Sequence, residues 1–409
     1  MTSLIELHST RSRLLAALIG MAASAIAPAA TSVPLTLDTH VDIPLAYMRE
    51  SRFDVGKDTK LKVDLGKMER GGLDAAFFVI FVEQGPLTPQ GYAKAVAQAQ
   101  QKYSAIALML ERYPQRIRPA TTPNEVLANH AHGKLSAMIG IENAYSLGHD
   151  LKNLDAAYAR GARYLGIVHV GDNDLCTSSL PNVELHEPKP SITGLTDFGR
   201  AAVKRANELG IMVDVSHASD VCTRDVLAAS NAPVIASHSS ARALVDHPRN
   251  LSDELIRAIA AKGGAIQVVA YKEFVKADSG REAAEKALQK QVAAAAGDKE
   301  FDSEKHEFLP AYEAGMRRID AKFPLATLDE YLDHVKHMVD VAGIEHVGIA
   351  SDFDGGGGVT GWLDASHTHN VTARLKRRGF SDADIAKIWS GNLLRTWREV
   401  ERHASAKQP

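Results

Sequence analysis

His40 and Asp42 stand two residues apart in Asp38-Thr39-His40-Val41-Asp42-Ile43-Pro44, where a short apolar stretch ends. On an extended chain both side chains therefore leave on one side. An imidazole nitrogen and a carboxylate oxygen presented together make part of a metal site. Four further apolar stretches end in a residue that can ligate: Ala137-Met138-Ile139-Gly140-Ile141-Glu142, Tyr164-Leu165-Gly166-Ile167-Val168-His169, Met212-Val213-Asp214-Val215-Ser216-His217 and Val234-Ile235-Ala236-Ser237-His238. One more, Val347-Gly348-Ile349-Ala350-Ser351-Asp352, ends in an aspartate.

His40, Asp42, Glu142, His217 and His238 supply nitrogen and oxygen ligands without thiolate, a set that suits hard to borderline ions, zinc first. Five ligands exceed what one tetrahedral zinc takes, and Glu142 can bridge with its two oxygens, so two metals per chain are expected. A lone histidine at a strand end is more often a hydrogen-bonded structural residue, and with 17 histidines some fall there by chance. The ordered recurrence of ligand types at successive strand ends is what points to function.

These positions must be held by a regular scaffold. Strands are expected near Leu35 to Asp38, Ala75 to Val82, Leu135 to Ile141, Tyr164 to Val168, Ile211 to Val215, Pro233 to Ser237, Gly264 to Val269 and His346 to Ser351. Helices are expected between them, as at Gln90 to Arg112, Asp197 to Leu209, Ser252 to Lys262 and Thr327 to Ala342. Near-continuous apolar strands alternating with helices imply a parallel α/β sheet, and eight of them favour closure into a (β/α)8 TIM-type barrel. An open doubly wound sheet is the alternative. The barrel accounts for the ligands falling at the C-terminal strand ends, where barrel active sites are built. The charged, alanine-rich stretch 272–323 reads as a helical insertion on the seventh loop, a lid or a solvated excursion, and Gly355-Gly356-Gly357-Gly358 reads as a flexible turn. His367 and His369 are read as loop residues.

The 409 residues carry 47 basic and 50 acidic side chains, a net charge of -3 with both signs interspersed, which gives no basic stripe for a phosphate backbone and excludes nucleic acid as a partner. Arg11 and Arg13 precede an uncharged apolar run from Leu14 to Ala27 and the small-residue match Ala27-Pro28-Ala29. That order reads as a signal peptide over residues 1–29, ahead of one catalytic domain at 30–409, and implies a secreted or periplasmic protein. The run is too short for a comfortable membrane span, which needs about 20 apolar residues, and the polar C-terminus offers no lipid-anchor signal. Cys176 and Cys222 could pair in an oxidising compartment, but two small buried thiols are the preferred reading.

Taken together, Asp38-Thr39-His40-Val41-Asp42, Ile141-Glu142-Asn143, Arg163-Tyr164-Leu165 with His169, Val213-Asp214-Val215-Ser216-His217, Ala232-Pro233-Val234-Ile235-Ala236-Ser237-His238-Ser239-Ser240, Arg249-Asn250 and Gly348-Ile349-Ala350-Ser351-Asp352-Phe353-Asp354-Gly355 resemble the membrane dipeptidase (renal dipeptidase-like) family, peptidase family M19, within the amidohydrolase-like barrels. The match runs in order from about residue 36 to 400. The resemblance implies a zinc-dependent dipeptidase acting through a metal-bridging hydroxide on dipeptides with a free C-terminal carboxylate, and the family tolerates a D-residue there. It implies one zinc on His40, Asp42 and Glu142 and a second on Glu142, His217 and His238. His169 would bind the substrate carbonyl oxygen, Arg249 the terminal carboxylate, and Asp352 would carry the proton. It further implies a homodimer, although with two cysteines the intersubunit disulfides of vertebrate members do not carry over.

Chemistry supports those roles. An amide nitrogen leaves poorly as an anion and needs the proton that a carboxylate beside the metals can pass on, and a guanidinium fork matches a carboxylate. Lactonases, phosphotriesterases and deaminases on the same barrel are the competing class. They commonly bridge their metals with a carboxylated lysine from the fourth strand, where this chain has His169.

Overall fold

Strands form where apolar residues run without interruption, because a strand buried on both faces has no solvent side to mark with polar residues. The computed structural model describes residues 34–182, 185 and 193–406, and the expected leader lies outside the described residues. Among the described residues nine strands are present: β1 Leu37–Val41, β2 Ala75–Phe81, β3 Ile117–Pro119, β4 Leu135–Glu142, β5 Ala162–Gly166, β6 Met212–Asp214, β7 Val234–Ala236, β8 Ala265–Val269 and β9 Val347–Ala350. All pairings are parallel, in the order β1-β2-β4-β5-β6-β7-β8-β9. The eight expected strands are those of this path. The additional β3 pairs only with the first residues of β4, Ile117 opposite Leu135.

The sheet curls into a nearly closed barrel. Its two ends meet where Val41 bridges to Phe353, with Asp352 N–H donating to His40 O at 3.1 Å and Asp42 N–H to Phe353 O at 2.9 Å. The buried Asp38 carboxylate joins the same seam, since Oδ1 accepts from His40 N–H at 3.1 Å and from Ser351 N–H at 3.0 Å. Period-two alternation sorts the side chains. Phe77 and Val79 join Leu37, Met138, Tyr164, Met212 and Ile235 in one core, whereas Phe78 and Ile80 join the larger core between strands and helices.

The helices that clothe the barrel include α1 Pro89–Arg112, α2 Asp197–Leu209, α3 Asp220–Ala229, α4 Asp253–Ala261, α5 Ser279–Ala296, α6 Pro310–Lys322, α7 Leu328–Ala342 and α8 Asn392–Ser405. Local chemistry sets their starts. Thr88, Thr196, Ser219 and Ser252 each accept a backbone N–H at the first turn, and Thr327 with Glu330 forms a capping box. Trp397 of α8 reaches the inner core, its ring 5.8 Å from that of Phe77.

Three expectations change. Cys176 and Cys222 are not separate thiols but a disulfide, with Cα atoms 5.9 Å apart; the loop after β5 packs on α3, a proximity that residues 46 apart in sequence do not announce. The insertion after β8 is not a bare solvated excursion, because α5 and α6 enclose a small core of Leu288, Val292 and Ile319. His369 lies in a helix, Thr368–Arg377, while His367 precedes it and pairs with Asp364 at 2.9 Å. Among the described residues no helix is long and apolar enough to cross a membrane.

Candidate metal centre

The candidate ligands converge at the C-terminal rim of the barrel. His40 and Glu142 still belong to their strands, β1 and β4, so the hydrogen-bond ladder fixes their direction. Asp42 follows β1 directly, while His169, His217, His238 and Asp352 lie two or three residues beyond β5, β6, β7 and β9. There the backbone is no longer regular. His217, Asp352 and Asn143 take φ of 68°, 58° and 65°, left-handed values that non-glycine residues adopt at a cost and that recur where function constrains the chain.

Glu142 is the hub. Its Oε2 lies 3.3 Å from His40 Nε2, and its Oε1 lies 3.0 Å from His217 Nε2, 3.4 Å from His238 Nε2 and 3.9 Å from His169 Nε2. Three groups of potential ligand atoms each fall within 4.8 Å of one another: His40, Glu142 and His238; Glu142, His169 and His217; and His40, Asp42 and Asp352. Two of these groups share Glu142, the arrangement of a binuclear metal site. The groups do not coincide with the expected ligand sets: His238 leans toward His40, with ring centroids 3.7 Å apart, His169 comes within reach of the hub, and Asp352 sits with the first-strand pair.

The donors suit a cation. His40 Nε2 is buried with no hydrogen-bond partner, and His217 Nε2 and His238 Nε2 point at each other across 2.9 Å. Nitrogens that face one another and one carboxylate are satisfied together by a positive ion between them. Their other ring atoms are spoken for in two of the three cases. Tyr164 OH lies 3.0 Å from His40 Nδ1, and Ser237 Oγ lies 2.8 Å from His238 Nδ1 while donating to Asp214 Oδ2 at 2.6 Å. Such partners orient ligand rings and fix which nitrogen faces the metal.

Electrostatics separates the groups. Burial works against charge on Glu142, but His40, His169 and hydrogen bonding to His217 and His238 outweigh it and hold its pKa well below the carboxylate range. Burial, with the Arg249 charge and neighbouring rings, keeps His217 and His238 well below the ordinary histidine value, the neutral form a metal requires. Burial pushes Asp352 well above the carboxylate range, and Asp42 and Glu142 add to that.

Gly355 to Gly358 is not a loose turn. A Cβ on Gly355 would overlap Asp42 Oδ2 and Asp352 Oδ1, and Gly357 N–H donates to Asp352 O at 2.7 Å, so the run is moulded against the two carboxylates. Arg249 is buried, only 3% exposed. Its Nη1 donates to Ser239 Oγ at 3.0 Å and its Nη2 to His238 O at 2.8 Å, while Nε has no partner. No carboxylate of the described residues lies within 4.0 Å of it. Burial lowers its pKa to about 10, which leaves it cationic at neutral pH. His169 is partly exposed and its ring lies tilted against those of Phe81 and His217, with centroids 4.5 and 4.2 Å away. His367 and His369 join none of the ligand groups.

Asp38, Tyr164, Asp214 and Ser237, which support the ligands, stand in the matching motifs without a role that the sequence assigns them. The available signal was charge, since Asp38 and Asp214 interrupt apolar stretches that bury both faces, and a buried carboxylate persists only with donors around it.

Comparison with known proteins identifies the family. The family model described as membrane dipeptidase (peptidase family M19) matches residues 27–409. The chain is 27% identical over 397 residues to dipeptidase aclJ of Aspergillus oryzae, covering 94% of this chain and 82% of that protein. Among solved structures it is similar to the probable dipeptidase PvdM from Pseudomonas aeruginosa, at 35% identity and a TM-score of 0.79, covering 91% of this chain and 97% of that one. A metallo peptidase from Rhodobacter sphaeroides, liganded with a phosphinate mimic of the dipeptide L-Ala-D-Ala, shares the fold at 22% identity and a TM-score of 0.69, covering 90% of this chain and 99% of that one.

Proposed function

The chain belongs to peptidase family M19, the membrane dipeptidases, and on that premise we propose that it is an exported zinc dipeptidase that hydrolyses dipeptides bearing a free C-terminal carboxylate. The observation that carries the reading is the division of Glu142, with Oε2 toward His40 and Oε1 toward His217 and His238. His40 and Asp42 would hold one ion, His217 and His238 the other, with Glu142 shared. Zinc fits the nitrogen and oxygen donors, and when bound it supplies Lewis acidity and lowers the pKa of water from about 15.7 toward 7.

The chain's own residues do the rest. Asp352 is buried among carboxylates that favour its protonated form, so it takes the proton released by the attacking water and returns it to the departing amine. His169, partly open to solvent at the rim, faces the carbonyl oxygen where negative charge develops. Arg249 keeps an unpaired Nε and, among the described residues, no carboxylate partner, which suits it to the terminal carboxylate of the substrate. Acceptance of a D-residue at the C-terminal position is part of the proposal and is supported by the L-Ala-D-Ala mimic held by the Rhodobacter sphaeroides protein. Export is supported by the leader pattern and by the Cys176–Cys222 disulfide, since disulfides persist in oxidising compartments.

Purified enzyme should contain about two zinc ions per chain and turn over L-Ala-L-Ala and L-Ala-D-Ala, but not their C-terminal amides. Arg249→Ala should erase most of that discrimination, roughly 2 to 5 kcal/mol. Equal turnover of amide and free acid by the unmodified enzyme would overturn the clamp, and activity without bound metal would overturn the whole reading.

A further inference from the structure

Beside the metal centre lies a cavity of about 820 Å³ between α1 and the helical insertion, lined among others by Leu45, Phe81, Lys102, Gln289, Ala293 and Glu304. Phe81 is common to both places, since its ring also lies 4.5 Å from that of His169. The other lysines on the cavity wall, Lys286, Lys290 and Lys299, are exposed and solvated. Lys102 is different: it is 6% exposed.

Among the described residues Lys102 makes no hydrogen bond and no ion pair within 4.0 Å. Its ammonium is placed only against the Phe81 ring, 5.5 Å from the centroid. The least exposed acid on the wall, Glu304, is already engaged by the Leu45 backbone N–H. Burial depresses the Lys102 pKa, and the more distant Asp42, Glu304 and Glu142 offset only part of that. A cation held away from bulk water without an anion is costly to keep, and this one lines a cavity that shares Phe81 with the surroundings of His169.

Its side of the centre matters. Arg249 is anchored on His238 O and Ser239 Oγ after β7, whereas Lys102 stands with Phe81 at the end of β2. A dipeptide whose terminal carboxylate lies on Arg249 and whose scissile carbonyl lies at the ligands directs its N-terminal residue toward the second position. We propose that Lys102 is a specificity residue that pairs with a carboxylate on the side chain of the substrate's N-terminal residue, so that the preferred substrates are acidic at that position. The assignment rests on the dipeptidase reading above.

The test compares kcat/KM of the zinc-loaded enzyme for Glu-Ala, Ala-Glu and Ala-Ala. Glu-Ala should exceed Ala-Ala by about tenfold or more, the worth of a charge-assisted hydrogen bond, and Ala-Glu should not. Lys102→Met, which keeps the length and apolar stem, should bring the Glu-Ala to Ala-Ala ratio close to unity, and Lys102→Arg should retain most of it. Lys102→Gln serves the same purpose where the methionine variant does not fold. Turnover of Ala-Ala with no preference for Glu-Ala overturns the Lys102 assignment alone. So does an equal loss on both substrates in Lys102→Met, which would place the ammonium with the groups that tune the metals. No turnover of any of the three overturns the dipeptidase reading and this one with it.

Discussion

The Tyr164 hydroxyl lies 3.0 Å from His40 Nδ1, deep in the barrel, and that contact decides which nitrogen of His40 is left to face Glu142. Room for the phenol comes from the neighbouring strand, where a Cβ on Gly140 would overlap the Tyr164 ring. Tyr164→Phe should therefore leave the fold intact and weaken metal binding by about 10 to 100-fold, the usual effect of removing a partner of a ligand. Gly140→Ala should be worse, because it displaces the ring itself. Competition with a chelator measures both, and unchanged zinc affinity in Tyr164→Phe would remove the assignment.

Glu142→Ala takes away the one side chain that approaches all four histidines of the centre. It should lose both metals or keep one loosely, as read by elemental analysis after desalting. Two tightly held ions in that variant would show that the bridge lies elsewhere.

On the proposed reading, Asp352→Asn preserves shape but not proton transfer. The turnover number should fall by about 10² to 10⁴ while zinc content stays near two. Loss of zinc in step with activity would instead make Asp352 a ligand, which its place beside His40 and Asp42 makes a real alternative.

His334 on α7 predicts a pH dependence of stability away from the site. Its Nδ1 accepts from Ala241 N–H at 3.1 Å and its Nε2 meets Val275 O at 3.2 Å, and burial lowers its pKa to about 4 from 6.5. In the unfolded chain the ring protonates first, so its contribution is complete above about pH 6.5 and is lost as pH falls toward 4, on the order of 3 kcal/mol in all. Urea unfolding should show that His334→Gln is less acid-sensitive over this interval than the unmodified protein. Parallel curves for the two would refute it.

The eight barrel strands were legible because their apolar runs need no solvent face, whereas β3, with only Ile117 buried of its three residues, carries no such signal. Each of His40, Asp42, Glu142, His169, His217, His238 and Asp352 could be picked out by chemistry and position, and the structure brings all of them to one rim. Lys102 could not, since the periodicity of an amphipathic helix does not show which of its lysines will line a cavity formed with a distant insertion. The disulfide and the buried setting of Arg249 depend likewise on which loops meet, information that local patterns of residue type do not hold.

The seam at Asp38 also has a bearing on the order of synthesis. Its carboxylate receives the Ser351 N–H from a residue 313 positions later, and His40 O receives the Asp352 N–H from the same late segment. The rim is thus completed by a segment 313 positions beyond the one that begins it. A nascent or shortened polypeptide that stops before β9 lacks both the strand that closes the barrel against β1 and Asp352, which groups with His40 and Asp42.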